Sequence, residues 1–339
     1  MSVLKNHNAS TYYLGLLFLL VIALVCAFTG IFFGSRDIAP EVTWQALVNF
    51  SASNSEHLIV HHLRLPRAML AIVVGLAIGA SGVLMQTLTR NPLAEPGLLG
   101  VNSGATFAVV VAIALFGLTD IHHYMWFSFL GAAVAGGIIY LLAGLSRGVN
   151  PVKVVLSGIA LSVILLSLTQ IITVNSQEEA FNQFRHWAVG SLQGRGFDVL
   201  YSISIVVFVG LVYTMFLSKE LNTLSLGREM SQSLGVNQNS VWLRSSIAIT
   251  VLAGAATAAV GPLNFIGLTA PHIARFFVGT EHKWLLPYSM VISALLISVA
   301  DTVGKILVSP DEISVGIMTA LLGGPIFVLL VRKWRITEL

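Results

Sequence analysis

The sequence predicts an all-α, polytopic membrane protein of about ten transmembrane helices, and three observations carry that prediction. The chain is 56% hydrophobic and 10% charged, with a mean hydropathy of +0.86, whereas a soluble domain carries roughly 25% charged residues. Apolar runs close to the about 20 residues needed to cross a bilayer recur along the whole chain. Two of these runs are joined by Arg90-Asn91-Pro92-Leu93-Ala94-Glu95-Pro96-Gly97-Leu98-Leu99-Gly100-Val101-Asn102-Ser103-Gly104. Two prolines, three glycines, an acid and a base make this a kinked turn, not a lipid-facing helix. Its backbone must be buried in protein or face water. The short alternating segments of a transmembrane barrel are not seen.

The expected spans are 14–33, 67–89, 98–117, 124–145, 154–174, 197–217, 240–260, 266–279, 286–308 and 315–332, within one transmembrane domain over 1–339. The first is too long for a secretion-signal core and no small-x-small site clearly follows it, so it reads as a retained helix. The second is entered through a Leu-Pro turn, where proline suits the first helical turn. Its Ala71, Gly75, Gly79 and Val83, at four-residue steps, offer a face for close helix packing, and Gly131, Ala135 and Gly136 do the same in the fourth. The polar stretch 218–239 reads as a loop able to form short helices. The span 266–279 is short for a full crossing.

Ten spans put both termini on one side. With the termini inside, twelve of the eighteen basic residues are cytoplasmic: Lys5, Arg90, Arg147, Lys153, Lys219, Arg228, Arg244, Arg275, Lys283, Arg332, Lys333 and Arg335. Arg36, Arg64, Arg67, Arg185, Arg195 and Lys305 lie outside. The excess favours cytoplasmic termini. Residues 75–104 and 254–279 each run from a Gly/Ala-rich helix into a broken turn, and opposite orientations would make them an inverted repeat.

Several chemistries are excluded or weak. Gly304-Lys305 lacks the glycine and hydroxyl of a phosphate-cradling loop, so ATP would need another subunit. Cys26 is the single cysteine. His57, His61 and His62, and His122-His123, do not show metal-ligand spacing, and no metal site is expected. The net charge of +3 has no clustered basic face for nucleic acid. Asp301 lies four residues before Lys305, which predicts an ion pair on one helix face. Glu95 falls in a cytoplasmic turn, where solvent or Arg90 would satisfy it. Met85, Gln86, Ser157, Ser162, Ser167, Thr169 and Gln170 are candidates for a soft, neutral translocation path suited to a bulky chelate; a bare ion would want rings of charge or carbonyls.

Besides the opening turn, the chain carries Arg64-Leu65-Pro66-Arg67, Gly79-Ala80-Ser81-Gly82 with Met85-Gln86, and Trp187-Ala188-Val189-Gly190-Ser191-Leu192. Then follow Leu226-Gly227 and Leu234-Gly235, Gly261-Pro262-Leu263-Asn264-Phe265-Ile266-Gly267-Leu268, Pro271-His272, Ala300-Asp301 and Gly323-Gly324-Pro325. In this order and spacing, from about residue 58 onward, the chain resembles the permeases of ABC importers for iron-siderophores, haem and cobalamin. Within that family, residues 82–104 are most similar to permeases for catecholate-type chelates such as ferric enterobactin. The resemblance implies a type II importer fold with an inverted repeat in the bacterial inner membrane. It also implies a second permease subunit, two cytoplasmic ATPases holding ATP and Mg, a periplasmic binding protein, and a ferric siderophore as cargo, with haem or cobalamin as alternatives. The chain itself would bind no cofactor and catalyse no reaction.

By the same resemblance, Arg64, Arg67 and Lys305 would receive glutamates of the binding protein. Leu226, Gly227, Arg228, Glu229, Leu234 and Gly235 would couple to the ATPase. Arg228 departs from the family's usual acid at that position. The competing reading is an ion-gradient-driven carrier, for which Asp301 is the plausible buried acid; a membrane-embedded enzyme lacks any nucleophile or metal constellation.

Overall fold

The computed structural model describes residues 9–144 and 150–333. Every expected span falls on a helix, and the described secondary structure is entirely helical. The helices are α1 (Ala9–Thr29), α2 (Pro40–Val48), α3 (Ser55–Ile59), α4 (Leu65–Thr89), α5 (Val101–Phe116), α6 (Ile121–Leu142) and α7 (Pro151–Val174). They continue as α8 (Glu178–Ala188), α9 (Phe197–Ser225), α10 (Arg228–Ser233), α11 (Gln238–Val260), α12 (Ile266–Val278), α13 (His282–Leu307) and α14 (Val315–Lys333). Among the described residues, seven helical stretches are long and apolar enough to cross a membrane. Val101–Phe116, Ile266–Val278 and Val315–Leu329 are shorter apolar helices. The basic residues Lys5, Arg147 and Arg335 lie outside the described residues.

Several helix ends shift by a few residues, as in α1, which ends at Thr29 and not at residue 33, and two shifts bear on the candidate sites. The second span begins at Ser55, because α3 continues into α4 through a π turn at Val60–Arg64. Pro66 has no N–H to give the preceding turn, and the wider π turn lets the chain pass it without ending the helix. At the other end, α9 runs to Ser225, so the coupling segment proper begins at Leu226, not at residue 218.

α4 is the central post, buried on nearly all sides, with α11, α12 and α13 around it. Glycine makes this approach possible. A Cβ on Gly82 would sit 2.0 Å from the Gly267 carbonyl oxygen of α12, and one on Gly75 2.3 Å from the Ala294 Cα of α13. Gly104 and Gly131 pair α5 with α6 in the same way. By contrast, α1 and α7 bury little of their apolar surface within the chain, which suits helices facing lipid or another subunit. Polar caps start several helices: Asn54, Asp120, Asn150 and Asn237 each accept a backbone N–H of the first turn.

Candidate functional site

At the end of the molecule assigned outside, α4 and α13 bring the predicted cations together. The expected Asp301–Lys305 pair is present, with Lys305 Nζ 2.7 Å from Asp301 Oδ2. Arg67 grips the other oxygen of Asp301 through Nε (3.0 Å) and Nη2 (2.7 Å) and donates from Nη1 to Glu312 at 2.6 Å. Glu312 also accepts the Ser35 amide at 2.9 Å, fastening the segment after α1 to the cluster. Arg64 is buried and donates to the carbonyls of Ile31, Phe32 and Arg36. Arg64, Arg67, Lys305 and Glu312 line a cleft of about 100 Å³ with Arg36 at its exposed rim.

Arg64, Arg67 and Lys305 thus converge as predicted, but not as free cations. Arg67 and Lys305 are paired within the chain, and Arg64 is spent on backbone oxygens. The cause is desolvation: buried cations persist only where carboxylates or hydrogen-bond acceptors replace water. Two acids and two bases form a neutral knot. Glu312 and the Asp301–Arg67 contact are invisible in the sequence, because they join residues more than 230 positions apart.

Deeper in the chain, the two broken turns that echo each other in sequence meet. Glu95 Oε1 accepts the Phe265 amide at 2.9 Å, and the Pro96 ring lies where a Cβ on Gly267 would fall. Phe265 caps α12 with a left-handed backbone (φ 68°), an uncommon conformation for a bulky residue. Glu95 is therefore not the solvated or Arg90-paired residue expected. Arg90 instead donates to the Leu224 carbonyl at 3.2 Å. Glu95 lies in the turn between spanning helices, and burial pushes its carboxyl up to about 7, against the downward pull of the Phe265 amide.

At the opposite end, which the sequence assigns to the cytoplasm, lies the segment expected to couple to an ATPase. Gly227 (φ 106°) and Gly235 (φ 79°) take conformations closed to most side chains and bracket the short helix α10. Between and beside them, Leu226, Met230 and Leu234 expose 61%, 54% and 59% of their surfaces, with Glu229 exposed alongside. Met230 adds to the predicted set. The side chain of Arg228 lies outside what the structure describes. Three large apolar side chains held out on a polar loop mark a contact surface.

The path candidates separate. Met85 and Gln86 are fully buried inside this chain; Gln86 donates to the Leu268 carbonyl and accepts from Arg275 at 2.5 Å. Thr169 is buried and bonds back to the Leu165 carbonyl. All three are packed within this chain, Gln86 at the wall of a cavity; periodicity alone could not show which side of their helices was packed. Ser162 is half-buried and meets Ser103 Oγ at 3.0 Å. Gln170 and Ser167 are exposed on α7. Among the histidines, His57 accepts the Ser51 amide, while His61 and His62 pack against Phe50. Among the described residues no three His, Cys, Asp or Glu side chains converge.

Residues 19–333 match the FecCD transport family. The ferric enterobactin transport system permease protein FepD of Escherichia coli (strain K12) is 39% identical, the alignment covering 94% of each chain. The hemin transport system permease protein HmuU of Yersinia pestis is 36% identical over 94% of this chain and 95% of its own. An inward-facing structure of a putative metal-chelate type ABC transporter superposes with a TM-score of 0.82 at 27% identity, covering 94% of this chain and 99% of that one.

Proposed function

Because this chain belongs to the FecCD transport family, we propose that it is the membrane permease subunit of an ATP-driven importer carrying a ferric siderophore from periplasm to cytoplasm. The observation that carries the reading is the α10 segment. Leu226, Met230 and Leu234 are held out between two glycine turns on a chain that has no phosphate cradle of its own. Such a surface needs a partner, and an ATPase supplies what the sequence lacks.

In this reading the bacterial inner membrane holds two permease subunits with both termini cytoplasmic, and two ATPases sit beneath them with ATP and Mg. The helix α7, which buries little of its surface within the chain and exposes Ser167 and Gln170, faces the second permease across the path. A periplasmic binding protein delivers the chelate to the outer cleft of Arg64, Arg67 and Lys305. Its carboxylates compete there with Glu312 for Arg67. The likeness to FepD supports a catecholate-type cargo, and the likeness to HmuU supports haem as the alternative.

Motion of α10 reaches the centre by short steps. Asn222, one turn before the end of α9, holds His282 at the start of α13, and His282 holds Thr87 near the end of α4. Purification of the tagged chain from native membranes, with ATPase assayed on the product, tests the reading. A bound nucleotide-hydrolysing subunit stimulated by a ferric-siderophore-loaded binding protein is the expected result. Recovery of the chain alone from mild extraction overturns it.

A further inference from the structure

A cavity of about 270 Å³ opens at the cytoplasmic end, where α4, α9, α12 and α13 finish or begin. Arg90 and Arg275 both line it, and no carboxylate does. Arg275 Nη1 donates to Gln86 Oε1 at 2.5 Å and meets His272 Nδ1 at 3.2 Å; both partners are neutral groups or a second base. Gln86 has no further charge to offer, since its Nε2 is spent on the Leu268 carbonyl. Arg90 is held by a single backbone carbonyl, that of Leu224. Among the described residues no acid lies within ion-pair distance of either guanidinium.

This arrangement is the reverse of the outer cleft. There, Arg67 and Lys305 are neutralised by Asp301 and Glu312. Here, a half-buried guanidinium shares a pocket with a second one and no counter-charge. Removing such a cation from water without a partner is costly, and a guanidinium fork is shaped for two carboxylate oxygens. The cavity's other walls include Leu226 and Leu285, which would pack the methylene stem of an acidic side chain.

We propose that this pocket receives an aspartate or glutamate of the ATPase subunit, a second anchor distinct from the apolar contact at α10. The mouth explains why the acid comes from that partner. Its rim carries Ser225 and Leu226, where α9 passes into the coupling segment, so whatever docks on α10 covers the pocket. The proposal rests on the ATP-driven reading above. It adds that docking fixes the lower ends of α4 and α12, through Arg90 and Arg275, along with the coupling helix.

The test uses the full complex in lipid nanodiscs, with a photo-crosslinking residue at Thr280, which is exposed on the rim. The expected product joins Thr280 to an ATPase peptide containing an acid. Arg90→Glu is then expected to cut ATPase retention by about tenfold or more, and reversing the charge of the crosslinked acid is expected to restore it. Arg90 is exposed, so this variant does not disturb the core. Crosslinks only to lipid or to this chain, with the ATPase still bound, overturn the pocket proposal and leave the importer reading intact. The pocket proposal also falls if inorganic phosphate or phosphatidylglycerol, but no ATPase acid, protects Arg90 and Arg275 from a guanidinium-modifying reagent. Absence of the ATPase from the wild-type complex overturns both.

Discussion

The carboxamide oxygen of Asn222 accepts both the backbone amide (2.9 Å) and Nδ1 (2.7 Å) of His282. Since Nδ1 must carry the proton to meet an oxygen acceptor, Nε2 is an acceptor for the Thr87 hydroxyl at 2.7 Å, sharing that one proton with the Val83 carbonyl 2.8 Å away. One imidazole thus ties the end of α9 to α13 and to α4. His282→Ala removes both side-chain links and leaves Asn222 Oδ1 with the backbone amide of residue 282 alone and the Thr87 hydroxyl with the Val83 carbonyl alone, a cost of about 0.5–1.5 kcal/mol for each lost hydrogen bond. The chain is expected to fold and to retain its ATPase, while transport per ATP hydrolysed falls several-fold. Comparing hydrolysis and uptake rates on the same proteoliposomes measures the split; a parallel fall in both contradicts the relay.

Asp301 is the keystone of the outer cluster. Asp301→Asn leaves Arg67 and Lys305 with Glu312 as their remaining carboxylate, and breaking a buried pair in this way costs about 3–5 kcal/mol. A lower thermal midpoint and lower yield are expected, with uptake per folded molecule preserved. Uptake abolished at wild-type stability would instead mark Asp301 as a proton carrier.

Glu95 gives stability a pH dependence. Its carboxyl is raised from 4.5 to about 7 in the folded protein, so the folded chain binds a proton that the unfolded chain has released over that interval. The stabilising contribution is complete below about 4.5 and is lost as pH rises through about 7. The thermal midpoint of the purified protein is expected to fall between about pH 5.5 and 7.5, and Glu95→Gln is expected to flatten that portion of the profile.

Gly82 tests the packing of the central post. A Cβ there would overlap the Gly267 carbonyl oxygen, which is backbone and cannot swing aside. Gly82→Val is expected to force α4 and α12 apart and to destabilise the chain by about 1–3 kcal/mol or more. Gly137, whose added Cβ meets nothing within 4 Å, is the matched control; Gly137→Ala is expected to leave the thermal midpoint unchanged or slightly raised.

The exposed apolar tip makes the remaining prediction. Met230→Asp with Leu234→Asp places charge on side chains that touch little of their own chain. The thermal midpoint of the isolated chain is expected to hold while co-purification of the ATPase is lost.

The spans were legible because lipid demands long apolar helices, and that demand is written locally in every run from Leu14 to Leu329. The Asp301–Lys305 pair was legible because it is four residues apart on one helix. The polar stretch with its short helix was legible from the composition around the Leu226-Gly227 and Leu234-Gly235 pairs, and its start moved to the end of α9. Arg67 with Glu312, Glu95 with Phe265, and His282 with Asn222 were not legible. Each joins distant helices, and nothing in either local sequence states which turn will face the other. The burial of Met85 and Gln86 was not legible for the same reason: α4 is enclosed on nearly all sides by helices distant in sequence.

Whether ATP drives this permease is decided by uptake of radio-iron-labelled siderophore into proteoliposomes holding the chain, its ATPase and the loaded binding protein. Accumulation that requires ATP and Mg on the ATPase side and is indifferent to a protonophore is the predicted result. Accumulation that a protonophore abolishes and that proceeds without ATP would contradict it.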